Sequence, residues 1–255
     1  MNQSALGPAG IQTLTASPDD NDDRKMFIEA VYAAFLEKHG STDRAYNIDN
    51  IGRLAAAIES HHYASQKMVG VPRFQDRNHL LGFACQSITV DGPALEFGVM
   101  AGHTINLIAS LLPLSKVYGF DSFEGLPEAW FGKGDGFGQF SVNGQLPQVR
   151  DNVELVVGWF DHVLAPFLDT HEFDKIALLH VDCDIYSSTQ TIFSYLHKRI
   201  VPGTIIVFDE YFNYPTWQRH EYAAFQEYVA HRQIKYEYLG LVPADMQVAV
   251  RILSV

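Results

Sequence analysis

The spacing of apolar residues changes near residue 90 and predicts two kinds of structure. Before that point, apolar residues recur at the spacing of one helix face. The predicted helices there are 24–39, 48–60 and 75–86. Beyond it, short apolar runs alternate with helical patterns. The predicted strands are 94–98, 117–121, 153–157, 176–181, 204–208, 235–239 and 247–252, and the predicted helices are 102–112, one starting near 161, 187–199 and 218–231.

Strands and helices that alternate along a chain form βαβ units around a largely parallel sheet. The last two predicted strands have no helix between them, which indicates an antiparallel pair at one edge. The sequence therefore predicts an α/β fold with a mostly parallel sheet, an antiparallel C-terminal edge and an N-terminal helical cap.

These patterns divide the chain into three segments. Residues 1–22 are small, polar and acidic and are expected to form a flexible tail, 23–90 form the helical cap, and 91–255 form the α/β domain. Inside that domain, 130–144 combines many glycines with aromatic residues. Such a segment forms either a lid that closes over a ligand or a surface insertion, and the sequence leaves both open.

Composition narrows the possible partners. Of the 255 residues, 47% are hydrophobic, which excludes a wholly disordered chain. The net charge of −12 argues against a nucleic-acid partner, because phosphate contacts need clustered basic residues. The only cysteines, Cys85 and Cys183, exclude a disulfide scaffold. With no signal peptide and no apolar run of about 20 residues, we expect a cytoplasmic protein without a membrane partner.

The first predicted strand ends in a glycine turn, EFGVMAG at 96–102. Such a turn lets a ligand approach the backbone beside a helix N-terminus. It lacks the dinucleotide pattern G-x-G-x-x-G, and Glu96 would repel a pyrophosphate. The second strand ends at Asp121, where an acid either bonds both ribose hydroxyls or caps the next turn. Together these residues favour a nucleoside ligand.

Acidic residues follow two further strands, Asp182 after one and the pair Asp209 and Glu210 after the other. Adjacent parallel strands would bring these carboxylates to one edge of the sheet. Like charges repel unless a cation joins them, and oxygen ligands favour a hard divalent ion such as Mg²⁺. Otherwise these acids cap helices or form salt bridges. The aromatic segment 211–217 lines an acceptor pocket or packs in the core.

These motifs, taken in order, identify a family resemblance. They are LEFGVMAGHT (95–104), FDSFEGLPE (120–128), VELVVGWF (153–160), LLHVDCDIYSST (178–189) and GTIIVFDEY (203–211). The set resembles the macrocin and mycinamicin sugar O-methyltransferases, together with related antibiotic phenol O-methyltransferases, over about 75–252. The resemblance implies a Rossmann-like class I methyltransferase fold that uses S-adenosylmethionine and a divalent metal ion.

Carried onto this chain, the resemblance implies a set of site residues. Those expected to bind the cofactor are Glu96, Gly98, Gly102, Asp121, Ser122, Phe123, Gly158, Trp159 and Asp182. The expected metal ligands are Asp182, Asp209 and Glu210. The chain departs from the family in having Glu210 where a second aspartate is usual and Cys183 where a glycine is usual. Ile185 stands where catechol-type relatives carry a lysine base.

The function expected from these features is metal-assisted O-methylation of a small hydroxylated molecule, a sugar or a phenol. A divalent ion would lower the pKa of the acceptor hydroxyl and orient its oxygen. Asp182 is the candidate base, with His180 as the alternative base or a buried structural residue. Relatives suggest a homo-oligomer. A nicotinamide-dependent dehydrogenase and a nucleoside-binding module without catalysis are the alternative hypotheses.

Overall fold

The computed structural model describes residues 47–130 and 136–255, together with Ala33, Ala34 and Glu37. These three residues are helical and lie within the predicted helix 24–39. The predicted tail 1–22 lies outside the described residues. The chain divides into two compact units, Met1–Ile51 and Gly52–Val255.

Most of the predicted elements are confirmed. The helices are α1 (Ile48–Lys67), α2 (Arg77–Gln86), α3 (His103–Leu111), α4 (Phe160–Thr170), α5 (Tyr186–Leu196) and α6 (Glu221–Arg232), with a short 3₁₀ helix at Trp217–Arg219. The strands are β1 (Ala94–Phe97), β2 (Val117–Asp121), β3 (Val153–Val157), β4 (Leu178–Val181), β5 (Ile205–Phe208), β6 (Lys235–Leu241) and β7 (Val248–Ser254). None of the helices described is long and apolar enough to cross a bilayer.

The seven strands form one sheet in the order β3-β2-β1-β4-β5-β7-β6. The pairs from β3 to β5 are parallel, whereas β7 runs antiparallel to both β5 and β6. This confirms the predicted Rossmann-like sheet and its antiparallel edge. The chain passes from β1 to β2 on one side of β1, whereas β4 pairs with the opposite side of β1. A crevice therefore opens at the carboxyl ends of β1 and β4, where such sheets bind ligands.

Apolar cores cover both faces of the sheet. On one face, α2 and α3 contribute buried residues such as Leu80 and Ile105. On the other, α4, α5 and α6 contribute residues such as Phe167, Ile192 and Phe225. Strands β1, β4 and β5 are buried along their whole length, as expected for a parallel sheet covered on both faces.

The first helix departs from its predicted packing. The apolar spacing over 48–60 predicts one buried helix face that includes Ile58, yet 59% of this residue is exposed. The buried residues are Ala56, Ser60 and Ala64, which recur at every fourth position. Ser60 accepts a hydrogen bond from the backbone N–H of Asn213 at 2.8 Å. Small side chains let the helix approach its neighbours closely, a packing that hydrophobicity alone does not reveal.

Candidate active site

A cavity of about 830 Å³ lies at the carboxyl ends of the parallel strands. Its lining falls into two parts. We call the residues after β1, β2 and β3, among them Gly98, Asp121 and Trp159, the cofactor half. We call the residues around Asp182 and Asp209, after β4 and β5, the acid half.

The glycine turn of the cofactor half makes a close backbone contact. Gly98 has a φ of +97°, and a Cβ atom at this position would lie 1.6 Å from the backbone oxygen of Asp182. The Gly98 N–H donates to the carbonyl of Phe120 at 2.9 Å. Only glycine allows this approach of the turn to both neighbouring strand ends.

Asp121 holds that turn in place. Its Oδ2 accepts hydrogen bonds from the backbone N–H groups of Val99 at 2.8 Å and Met100 at 2.7 Å. Its Oδ1 accepts from the N–H of Phe123 at 2.7 Å. The bond to Phe123 fits the turn-capping alternative considered from the sequence. An ionised carboxylate has about four acceptor positions, so capacity remains for a ligand hydroxyl.

The predicted cofactor residues do not all line the cavity. Those that do are Gly98, Asp121, Ser122, Trp159 and Asp182. Those absent from the lining are Glu96, Gly102, Phe123 and Gly158. Phe123 is 1% exposed and packs in the core that α2 and α3 cover. Gly158 has a φ of +142°, and a Cβ there would meet Val163 at 2.5 Å, which gives this glycine a packing role.

Glu96 and His180 form a buried pair beneath the cavity. They are register partners in the β1–β4 ladder, and the imidazole Nδ1 lies 3.0 Å from Glu96 Oε2. Thr104 Oγ1 donates to the other Glu96 oxygen at 3.0 Å. Burial alone would lower the pKa of His180, but Asp209 and Glu96 on either side of the ring raise it to about 10. His180 is fully buried and does not line the cavity.

In the acid half, Arg77 contacts both aspartates. Its Nη1 donates to Asp209 Oδ2 at 3.0 Å and reaches Asp182 Oδ2 at 3.4 Å. Gln247 also donates to Asp209 Oδ2, at 3.3 Å. Burial and the charge of Asp209 raise the pKa of Asp182 well above its usual value. Burial would also raise the pKa of Asp209, but His180 and Arg77 outweigh it and the pKa is lowered.

Glu210 has a different environment. Burial and the charges of Asp184 and Asp209 raise its pKa well above the usual value, which favours a neutral carboxyl group. Its backbone N–H donates to Glu221 Oε2 at 3.0 Å. Glu221 Oε1 accepts from the N–H groups of Cys183 and Asp184, both at 3.2 Å. Burial raises the pKa of Glu221 to about 8.

These contacts do not fit the metal site expected from the sequence. One ligand atom each from His180, Asp182 and Asp209 lie within 4.8 Å of one another, but Glu210 is not part of that group. Mg²⁺ prefers oxygen ligands, whereas this group includes the imidazole of His180. The guanidinium of Arg77 already contacts both aspartates and supplies one positive charge between them.

Three of the aromatic residues that line the cavity belong to the glycine-rich segment 130–144, and none belongs to the aromatic segment 211–217. The residues Tyr211, Phe212, Tyr214 and Trp217 are buried core residues, so the packing alternative is correct for them. Trp130, Phe137 and Phe140 line the cavity instead. They belong to the segment 130–144 considered as a lid, of which 131–135 lie outside the described residues. The Gly138 N–H donates to the carbonyl of Leu126, and the Leu126 N–H donates to the carbonyl of Gln139, both at 3.0 Å.

Sequence reasoning missed Arg77. The residue lies 105 positions before Asp182, so no local spacing connects them. One local signal was available. Arg77 directly follows Asp76, the N-cap of α2. A cation in the first turn of a helix is unfavourable, because it faces the positive end of the helix dipole. A residue that departs from a local preference in this way often has a functional role.

The chain matches the family described as macrocin-O-methyltransferase (TylF) over residues 12–241. Mycinamicin III 3''-O-methyltransferase of Micromonospora griseorubida is 23% identical over 177 residues, which cover 60% of this chain and 68% of that protein. The enzyme 8-demethyl-8-(2,3-dimethoxy-alpha-L-rhamnosyl)-tetracenomycin-C 4'-O-methyltransferase of Streptomyces olivaceus is 26% identical over 175 residues, covering 56% of this chain and 62% of that protein.

Solved structures share the fold. The calicheamicin methyltransferase CalS11 superposes with a TM-score of 0.55 at 19% identity, covering 97% of this chain and 99% of that one. The O-methyltransferase NovP gives a TM-score of 0.54 at 21% identity, covering 70% of this chain and 80% of that one. The family match spans most of the chain and includes the turn at Gly98, Asp121 and the acids after β4 and β5. The chain therefore belongs to the macrocin O-methyltransferase family.

Proposed function

We propose that this enzyme transfers a methyl group from S-adenosylmethionine to a hydroxyl of a small molecule, a sugar or a phenol of a natural product. The observation that carries the proposal is the cavity whose glycine turn is held by Asp121, in a member of this family. The two curated relatives are named as O-methyltransferases of mycinamicin III and of a rhamnosyl tetracenomycin. Family membership leaves the dehydrogenase hypothesis without support.

The charges of the cavity suit a sulfonium cofactor. Its acidic lining residues are Asp121, Glu124, Asp161, Asp182, Asp184, Asp209 and Glu210. Arg77 is the one lysine or arginine among the lining residues of the described chain. Such a surface attracts a cation. We assign the ribose hydroxyls to Asp121 and Ser122 and the adenine to Trp159, while Glu96 and Gly102 support the turn from behind.

S-adenosylmethionine, when bound, supplies an electrophilic methyl group. The protein must orient the acceptor oxygen and receive its proton. Asp182 is the candidate base, because its side chain is 22% exposed, lines the cavity and has a raised pKa. The buried ring of His180 cannot reach an acceptor. We therefore assign His180 a positioning role between Glu96 and Asp209 rather than the role of a base.

No step of this mechanism passes through a metal ion. The potential ligand atoms that lie together belong to His180, Asp182 and Asp209 without Glu210, and Arg77 supplies a positive charge at the same place. Homo-oligomer formation and a cytoplasmic location stay predictions. Cys85 and Cys183 are both buried free thiols, which agrees with a reducing compartment.

Calorimetric titration with S-adenosylhomocysteine tests the cofactor assignment. Micromolar binding by the full chain is expected, and Asp121→Asn should weaken it at least about tenfold, equivalent to about 1.4 kcal/mol. Asp169→Asn is the matched control, because this exposed acid lies outside the cavity lining. Methyl transfer is then measured with sugar and phenol acceptors. Failure of the unaltered chain to bind S-adenosylhomocysteine would overturn the proposed function.

A further inference from the structure

We propose that Arg77 is a built-in cation that replaces a divalent metal ion between Asp182 and Asp209. The proposal rests on the proposed function, because it concerns the charge that orients groups for methyl transfer. In this reading Arg77 is a positioning residue of the acid half. The enzyme works without bound metal, and loss of Arg77 creates a metal site that the unaltered chain lacks.

The two aspartates share one nitrogen of the Arg77 guanidinium. A single nitrogen, Arg77 Nη1, reaches Oδ2 of both carboxylates at 3.0 Å and 3.4 Å. Gln247 occupies a second acceptor position on Asp209 Oδ2 at 3.3 Å. A magnesium ion binds oxygen at about 2.0–2.1 Å and demands near-octahedral geometry. Binding between the same two oxygens would therefore require the guanidinium to leave.

Glu210, the expected third metal ligand, lies apart from the two aspartates' ligand atoms. Its carboxyl group is not part of the cluster of potential ligand atoms formed by His180, Asp182 and Asp209. Its backbone is anchored to Glu221, which also accepts hydrogen bonds from the turn after β4. The substitution of the usual aspartate by glutamate thus coincides with a different cation at the acid pair.

The Arg77 guanidinium can supply the positive charge and the orienting contacts that a metal ion would supply. A guanidinium stays charged at every accessible pH and carries five N–H donors. Within the described chain, its hydrogen-bond partners are Asp182 and Asp209, both through Nη1. The side chain is 36% exposed and lines the cavity. The remaining donors are available to an oxygen atom of the acceptor, which Arg77 would orient beside Asp182.

A second possible cation site lies between His180 and Asp209, more deeply buried than the contacts of Arg77. His180 Nε2 and Asp209 Oδ1 are 3.8 Å apart, and neither has a hydrogen-bond partner among the described residues. A nitrogen and oxygen ligand set would favour Mn²⁺ or Zn²⁺ over Mg²⁺. This site would depend on His180, whereas the site created by removing Arg77 would depend on Asp182 and Asp209. The two can therefore be separated by substitution.

The experiment is Mn²⁺ titration of the full chain, followed by electron paramagnetic resonance and repeated with Zn²⁺ by calorimetry. The unaltered protein should bind neither ion at concentrations up to about 1 mM, the weak end of carboxylate sites. Arg77→Met should gain one Mn²⁺ site at least about tenfold tighter, because two carboxylates lose their cation. Arg77→Lys keeps the charge and should gain none. Asp209→Asn added to Arg77→Met should remove the gained site.

Arg73→Met is the matched control, because Arg73 is an exposed arginine in the connection that leads into α2 and lies outside the cavity lining. Tight Mn²⁺ or Zn²⁺ binding by the unaltered protein, lost in His180→Gln or in Asp209→Asn, would overturn the proposal. So would a folded Arg77→Met protein, checked by circular dichroism, that gains no site. S-adenosylhomocysteine binding by the same samples reports separately on the proposed function.

Discussion

The cofactor half and the acid half of the cavity are held by different forces. In the cofactor half, Asp121 gathers three backbone N–H groups from residues close to it in space and in the sheet order. In the acid half, the contacts join side chains far apart in the sequence, as in Arg77 with Asp182 and Asp209. A backbone-built site is fixed once the sheet forms. A site built from charged side chains depends on the balance of charge around it.

The largest expected effect is a loss of stability when the glycine turn of the cofactor half is altered. Gly98→Ala would place a Cβ atom 1.6 Å from the backbone oxygen of Asp182 at a φ of +97°. The two strand ends must then separate, and we expect the free energy of unfolding to fall by about 3 kcal/mol or more. Urea denaturation measures the change. Gly136→Ala is the control, since a Cβ there meets nothing within 4 Å. Equal stability of both variants would contradict this account of the turn.

The next effect separates catalysis from cofactor binding. Asp182→Asn removes the candidate base and should lower the rate of methyl transfer by about 10²–10⁴-fold. Binding of S-adenosylhomocysteine should change by less than about threefold, since the cofactor half is intact. Steady-state kinetics and calorimetry measure the two effects on one sample. Asp174→Asn, an exposed acid outside this cavity, serves as control. Full activity of Asp182→Asn would remove this residue as the base.

The smallest effect tests the charge dependence of the acid half through pH. In the folded protein the pKa of His180 is raised to about 10 from its ordinary value of 6.5, so its proton stabilises the fold fully below about pH 6.5. That contribution is lost as the pH rises through about 10. The stability difference between the unaltered protein and His180→Gln should therefore shrink with rising pH, by up to about 1.4 kcal/mol per unit.

Urea denaturation of both proteins at several pH values between 6 and 10 measures that difference, and titrations common to both cancel. Ser122→Ala provides a comparison from the cofactor half. Among the described residues, the Ser122 hydroxyl bonds the backbone of Glu124 and Gly125 and no charged side chain, so its stability difference should not vary with pH. A constant difference for His180→Gln across this range would show that the ring is not charged in the fold.

The sequence was informative wherever neighbouring residues carry the signal. Alternating strand and helix patterns predicted the sheet, and the ends of β1 and β2 predicted Gly98 and Asp121 as cavity residues. Glu96 and Phe123 belong to the same motifs, yet their side chains point away from the cavity lining into buried surroundings. A motif gives the order of residues, whereas the direction of each side chain depends on the turn geometry.

The acid half was predicted less completely because its partners are distant. The sequence placed Asp182 and Asp209 at one edge, and they share Arg77 there. It could not show that α2 would bring a guanidinium to them, nor that β1–β4 register would set Glu96 against His180. Those charges provide a cation beside the acids, on which the proposal of a metal-free site rests. The ligand of a site built from charged side chains can be inferred only when all the charged residues around it are known.

The position of Arg77 on α2 has a consequence for exchanging parts between family members. The compact unit begins at Gly52, so α2 belongs with the sheet although it precedes the first strand. A chimera joined near residue 90 would take its guanidinium from one parent and its carboxylates from the other. If Arg77 takes the place of a metal ion as proposed, grafting the N-terminal helices would then also change the metal requirement of the hybrid. Such hybrids should be joined ahead of Arg77, so that the cation and its acids are inherited together.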